Sequence, residues 1–167
     1  WRVTLQPGER LTVDAHAHFE HPSVVDPVRP SYEAWRAAFL RRLPRGSVRD
    51  VRRHALHRAV DDLRALTTFT PHGPILTAGI PWYVAPFGRD ALLSAWMLLD
   101  AYPELAVGTL AFLAAHQGTR RDAASFEAPG KILHEMRYGE LTRLGETPFG
   151  PFYGSIDATP LWIALLG

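Results

Sequence analysis

The sequence predicts a mainly helical fold, an α/α toroid or a helical solenoid, preceded by a short β element. Three observations carry this expectation. Apolar residues recur at helical spacing over residues 32–43 and again over 48–66. The next two segments, 91–101 and 105–115, are apolar nearly all round, as buried helices are. Prolines and glycines punctuate the stretches between them. Helices that alternate between one apolar face and near-complete burial suit both architectures, and no fixed-period repeat singles out the solenoid.

In chain order, Trp1, Val3 and Leu5 alternate with polar neighbours, Pro7-Gly8 turns the chain, and Leu11 and Val13 resume the alternation. That is a strand, turn, strand pattern over residues 1–20. Pro22, Pro27 and Pro30 block helix and sheet pairing, so residues 21–30 read as a linker. Ser31 can cap a helix carrying Tyr32, Trp35, Phe39 and Leu43, ended by Pro44 and Gly46. Ser47 and Asp50 make a box-like start for a second helix with Val51, Ala55, Ala59, Leu63 and Leu66 on one face. The stretch "PWYVAPFGRD", with Pro81, Pro86 and Gly88, reads as an extended loop feeding the first buried helix. Residues 118–154 hold charges, glycines and prolines without periodicity. "DATPLWIALLG" then opens another apolar helix with Pro160 suited to its first position. The chain stops as that helix begins, so a fragment of a larger domain is expected.

The apolar and charged fractions of 47% and 21% are those of an ordinary soluble domain, which excludes a disordered chain. A formal charge of +1 offers no drive toward nucleic acid. No cysteine is present, so disulfides, thiolate nucleophiles and cysteine-held zinc are excluded. No leader opens the chain, and Asp100, Pro103 and Glu104 interrupt its longest apolar runs; a soluble, cytoplasmic protein without a membrane partner is expected.

Two clusters invite a functional reading and have a plainer one. Asp14, His16 and His18 in "DAHAH" have the alternation by which a strand presents two histidines to one metal, as metal-dependent amidohydrolases do. Those enzymes also need ligands at the ends of parallel strands, which the helical patterns leave no room for, so a solvated strand end is the reading adopted and no metal is assigned. Arg36, Arg41, Arg42, Arg45, Arg49, Arg52 and Arg53, with His54 and His57, alternate with core positions and are answered by Asp50, Asp61 and Asp62, which describes a solvated helix face. No phosphate loop or nucleophile elbow occurs.

The loop carboxylates are Asp90, Glu127, Glu135, Glu140, Glu146 and Asp157. Asp90 and Asp157 each precede an apolar helix, where aspartate often caps. For Asp157 the capping reading is weakened by Thr159, better placed to cap a helix starting at Pro160. An aspartate left free among Tyr153, Trp162 and glycines would have its pKa raised by desolvation and could hold a proton for a leaving oxygen.

Three blocks, "AGIPWYVAPFGRDALLSAWMLL", "EAPGKILHEMRYGE" and "FYGSIDATPLWIALL", together resemble amylo-α-1,6-glucosidase, the glucosidase part of glycogen debranching enzymes, in its bacterial form. The resemblance runs from about Leu76 to the C-terminus. It implies an (α/α)6 toroid of the six-hairpin glycosidase type, in which residues 1–20 end an N-terminal β-sandwich, 21–30 link, and 31–167 form the first part of the toroid. It also implies carbohydrate metabolism: inverting hydrolysis of an α-1,6 branch in a glycogen-like glucan, without a cofactor. Inversion uses one carboxylic acid on the leaving oxygen and a second carboxylate that activates water on the opposite face. By resemblance Asp157 is the general acid. Arg89 and Asp90 hold hydroxyls of the terminal glucose, Trp82 and Tyr83 supply stacking surface, and Glu135, Arg137 and Tyr153 line the same pocket.

A twelve-helix toroid needs roughly 400 residues, so this chain is expected to carry only its first helices. The family's base lies far downstream of "DATP", which leaves the chain inactive by itself in this reading. A non-catalytic carbohydrate-binding or structural remnant is the alternative, and uncovered toroid helices would then drive self-association.

Overall fold

Six helices and two small antiparallel sheets make up the described part of the computed structural model, which comprises residues 4, 6–12, 30–42 and 50–167, with 50–53 as backbone only. The architecture is mixed α and β. It does not show the expected helical toroid, nor a β-sandwich. Residues 6–12 contain the turn at Pro7-Gly8, with Gly8 at φ +92°, but no strand. The remainder of the expected opening strands, residues 21–29 of the linker, the "DAHAH" cluster, and Pro44, Gly46 and Ser47 lie outside the described residues.

Helix α1 (Tyr32–Arg42) starts where its cap predicts: Ser31 Oγ accepts the Ala34 N–H at 3.1 Å. Its Trp35 and Phe39 are buried against Tyr102, with ring centroids 5.4–6.0 Å apart. Helix α2 (Asp50–Leu66) packs beside it; of the expected basic face, Arg36 pairs with Asp61 at 3.3 Å and Arg42 with Glu104 at 2.6 Å, while the side chains of Arg45, Arg49, Arg52 and Arg53 lie outside the described residues.

Directly after α2 the chain turns extended. Strand β1 (Thr67–Thr70) is rich in β-branched threonine, and Pro71, His72 and Gly73 reverse it into β2 (Gly73–Gly79) in the register Thr67↔Leu76 to Thr70↔Gly73. Strand β3 (Tyr83–Pro86) completes the sheet antiparallel to β2. The stretch read as a proline-broken loop is thus partly strand. Pro81 and Pro86 bound an edge strand, where a missing N–H leaves no ladder bond unmade. Successive residues of β2 serve two cores. Ile75 joins Leu92, Phe112, Leu113, Ile132 and Leu133, while Leu76 joins Trp35, Phe39, Val60, Tyr102 and Leu105.

Helices α3 (Gly88–Met97) and α4 (Pro103–Ala115) pack on that sheet, and α6 (Ala158–Leu166) packs on both. Gly108 lets α4 lie directly on Pro74, whose backbone fills the place of a β-carbon. Burial on all sides, expected for α3, is not found. Met97 is 85% exposed, and Leu93 and Trp96 also face outward. Apolar composition reports what a helix could bury, but the described residues supply cover for one side only. Between α4 and α6 the stretch without periodicity holds β4 (Glu135–Met136), α5 (Glu140–Arg143) and β5 (Pro151–Phe152), with β4 and β5 paired antiparallel. Antiparallel pairing throughout the described strands also removes the parallel-strand frame of an amidohydrolase. Among the described residues no helix is long and apolar enough to cross a membrane.

Candidate functional site

Where β3 runs into α3, three backbones meet. Phe87 bridges to Glu135, and the Gly88 N–H donates to the His134 carbonyl at 2.8 Å. A β-carbon on Gly88 would collide with the Leu133 carbonyl and stand 3.4 Å from the Ala158 β-carbon. Glycine at this position therefore lets the first turn of α3 press against both residues 132–135 and the start of α6. The consequence is a pairing that no local pattern encodes: Arg89 Nη1 donates to Asp157 Oδ2 at 3.0 Å.

Asp157 occupies the N-cap position of α6 but its side chain makes no cap bond. The cap oxygen is Ser155 Oγ, which accepts the Ala158 N–H at 3.1 Å and donates to Asp157 Oδ1 at 2.5 Å. Thr159, expected to cap, instead accepts the Ile132 N–H at 3.0 Å, because α6 begins at Ala158 rather than Pro160. With the Ser155 hydroxyl as the larger cause and Arg89 as a further one, the Asp157 carboxyl is held below its ordinary pKa, against the opposing pull of burial. The expected upward shift is thus reversed. At 35% side-chain exposure, desolvation is too weak to outweigh two donors aimed at the charged form.

A second arginine organises the other flank. Glu135, 6% exposed, accepts Arg137 Nε at 3.0 Å, while Arg137 Nη1 donates to the Trp82 carbonyl at 3.1 Å. The same guanidinium lies 5.7–5.8 Å from the ring centres of Tyr83, Phe87 and Phe149, a cation held over aromatic faces. Beside it opens a cleft of about 570 Å³ lined by Trp82, Arg137, Tyr138, Glu140, Thr142 and Phe149. Trp82 is 77% exposed at its rim, just after the cis Ile80–Pro81 bond.

Aromatic rings connect this cleft to another. Tyr83, Phe87, His134, Phe152 and Phe126 follow one another with centroids 5.7–6.0 Å apart, each pair edge to face, and Phe149 leans on Phe152 at 5.5 Å. At the far end a cleft of about 630 Å³ is lined by Phe126, Lys131, Phe152, Ser155, Ile156 and Thr159.

Of the residues singled out from sequence, Arg89 and Asp157 form one cluster, and Trp82, Tyr83, Glu135 and Arg137 form the other. Asp90 sits half-buried in the first turn of α3 without a side-chain hydrogen bond among the described residues. Tyr153 is not brought to either cleft. It is buried in the core and its hydroxyl donates to the His116 carbonyl at 2.8 Å. Glu127 is engaged in its own loop, accepting the Thr119 N–H at 2.8 Å. Sequence reasoning missed Ser155, whose signal was a serine three residues before the first residue of an apolar helix. It also missed Phe126, Tyr138 and Phe149, which stand in the stretch without periodicity. No family model matches the chain, and no curated protein matches it.

Proposed function

We propose that the protein binds the end of an α-glucan or α-linked oligosaccharide between its two arginine clusters and serves hydrolysis of an α-glucosidic linkage, the α-1,6 branch in the first place. The observation that carries the reading is the meeting of Arg89, Asp157 and Ser155, with Ser155 itself lining the cleft beside Phe126 and Phe152. Flat apolar faces with a few polar groups in fixed directions are what a sugar requires of a site. The three sequence blocks that resemble amylo-α-1,6-glucosidase contain all of the named residues except Phe126, Thr142 and Phe149.

In this reading Arg89 and Asp90 hold hydroxyls of the terminal glucose, Trp82 and Tyr83 offer their rings, and the Glu135–Arg137 pair keeps the Trp82 loop in place. Asp157 supplies a proton to the leaving oxygen. Its carboxylate is stabilised in the free protein, so proton donation depends on the substrate. A sugar hydroxyl that draws Arg89 away, while the ring expels water, removes one stabilising donor and adds desolvation; both raise the pKa. The carboxylate that activates water is assigned to no residue of this chain, and no cofactor or metal is invoked. The low pKa of Asp157 favours a second reading, carbohydrate binding without cleavage. With either reading we place the cysteine-free protein in the cytoplasm, with the glucan as its partner and self-association through the outward apolar faces of α3 and α6.

Calorimetric titration of the protein with a branched maltooligosaccharide, combined with an assay for released glucose, tests this. Binding that falls at least about tenfold in Trp82→Ala, the loss of one central aromatic contact, supports the site. In a longer protein that joins this chain to the segment carrying the water-activating carboxylate, turnover that drops by roughly two to four orders of magnitude in Asp157→Asn, with much less loss on glucosyl fluoride, supports the proton-donor role, since that leaving group departs unprotonated. Binding without any release of glucose by that longer protein selects the second reading. A protein that binds no α-glucan removes both.

A further inference from the structure

Phe126 is the one non-glycine residue with positive φ among those described, at +56°, a region that a residue with a β-carbon rarely enters outside Asn and Asp. Its neighbours impose the conformation. Glu127, largely buried, accepts the N–H groups of Thr119 and Arg120 at 2.8 and 3.2 Å. Asp122 and Glu127 exchange backbone bonds at 3.2 and 3.0 Å, and Asp122 accepts the Ala124 N–H and the Ser125 hydroxyl, both at 3.0 Å. The Ser125 carbonyl takes the Tyr153 N–H at 2.8 Å, and the Phe126 carbonyl takes Lys131 Nζ at 3.0 Å. Core packing does not explain why a phenylalanine is kept there. The residue is 59% exposed, and its aromatic contact is edge to face with Phe152. A strained residue fixed from both sides whose ring faces solvent points to a ligand.

We propose that the cleft of about 630 Å³ beside Phe126 binds the sugar unit on the leaving-group side of Asp157, with Phe126 as its stacking platform and Lys131, Ser155 and Thr159 as its hydroxyl partners. This rests on the functional reading above. Asp157 divides the site: Oδ2 faces Arg89, assigned to the terminal glucose, and Oδ1 faces Ser155, which lines this second cleft. A unit joined beyond the scissile oxygen therefore falls on the Ser155 side. The cleft joins three apolar side chains, Phe126, Phe152 and Ile156, with an ammonium and two hydroxyls, a mixture that matches the face and rim of a sugar ring. Lys131 Nζ keeps two donors beyond the one given to the Phe126 carbonyl.

Phe126→Asn is the informative variant, because asparagine tolerates the left-handed backbone and brings no ring. Affinities of the protein for a branched trisaccharide and for methyl α-glucoside, measured by calorimetry alongside the melting temperature, give the readout. The ratio of the two affinities is expected to fall about tenfold, the worth of one stacking contact, with the melting temperature unchanged or raised. Phe126→Trp, which restores a ring, is expected to recover the ratio. An unchanged ratio in Phe126→Asn overturns the second subsite while leaving the first reading intact. Equal loss for both sugars together with a lowered melting temperature assigns Phe126 a purely structural role and overturns it too. Wild-type protein that binds neither sugar ends both the functional reading and this one.

Discussion

Arg89 and Asp157, separated by 68 positions in sequence, share a hydrogen bond of 3.0 Å that ties the first turn of α3 to the N-cap of α6. With Ser155 on its other oxygen, Asp157 has a folded-state pKa below its ordinary 3.8. Because the folded value is depressed, this stabilisation is fully present above the ordinary value and is lost as pH falls through the folded pKa. Both single replacements should raise the Asp157 titration midpoint, Ser155→Ala more than Arg89→Met, since the hydroxyl is the larger cause. NMR titration of the carboxyl carbon reads this directly, and the opposite order would contradict the assignment.

The same serine separates capping from chemistry. Ser155→Ala should cost about 1 kcal/mol of stability through the lost cap of α6. Asp157→Asn should cost less, because its side chain caps nothing and its pair with Arg89 is exposed enough to be screened. Urea unfolding midpoints at neutral pH compare the two. A larger loss for Asp157→Asn would return that residue to a structural role.

Gly88→Ala probes the junction that brings the clusters together. Its β-carbon has no room beside the Leu133 carbonyl, so the backbone must shift, at a cost of about 1–3 kcal/mol and a melting temperature lowered by several degrees. The Arg89–Asp157 bond should loosen with it, moving the Asp157 titration upward. Unaltered stability and titration would mean that the contact between α3 and residues 132–135 is softer than its geometry indicates.

Leu93, Trp96 and Met97 on α3 and Ile163 and Leu166 on α6 leave large side chains facing outward on two helices that touch. Such a surface drives association. Sedimentation at micromolar concentration should find species larger than the monomer, and Met97→Lys with Ile163→Lys should shift the distribution toward it. A wild-type protein that sediments as a stable monomer refutes this expectation.

Much of the local structure was legible in the sequence. Ser31 announced α1, the apolar spacing from Val51 to Leu66 announced α2, and the apolar segment 105–115 announced α4, because capping and periodicity act within a few residues. Glu135 and Asp157 stood out as loop carboxylates, Trp82, Arg89 and Arg137 entered only through the resemblance of the three blocks, and the charge and cysteine content followed from composition alone. The β1–β2 hairpin escaped notice because strand pairing is a relation between segments, and four residues such as "TTFT" carry too short a pattern.

Only the tertiary structure decided the rest. An apolar helix declares that it can be buried, but what covers it is a property of its neighbours; α3, expected to be enclosed in a toroid, meets a three-stranded sheet on one side and exposes Met97 on the other. The direction of the Asp157 pKa likewise could not be read from "YGSIDAT". Burial pushes it up, donors push it down, and the decisive balance includes a guanidinium 68 residues away that reaches it because Gly88 has no side chain to keep α3 at a distance.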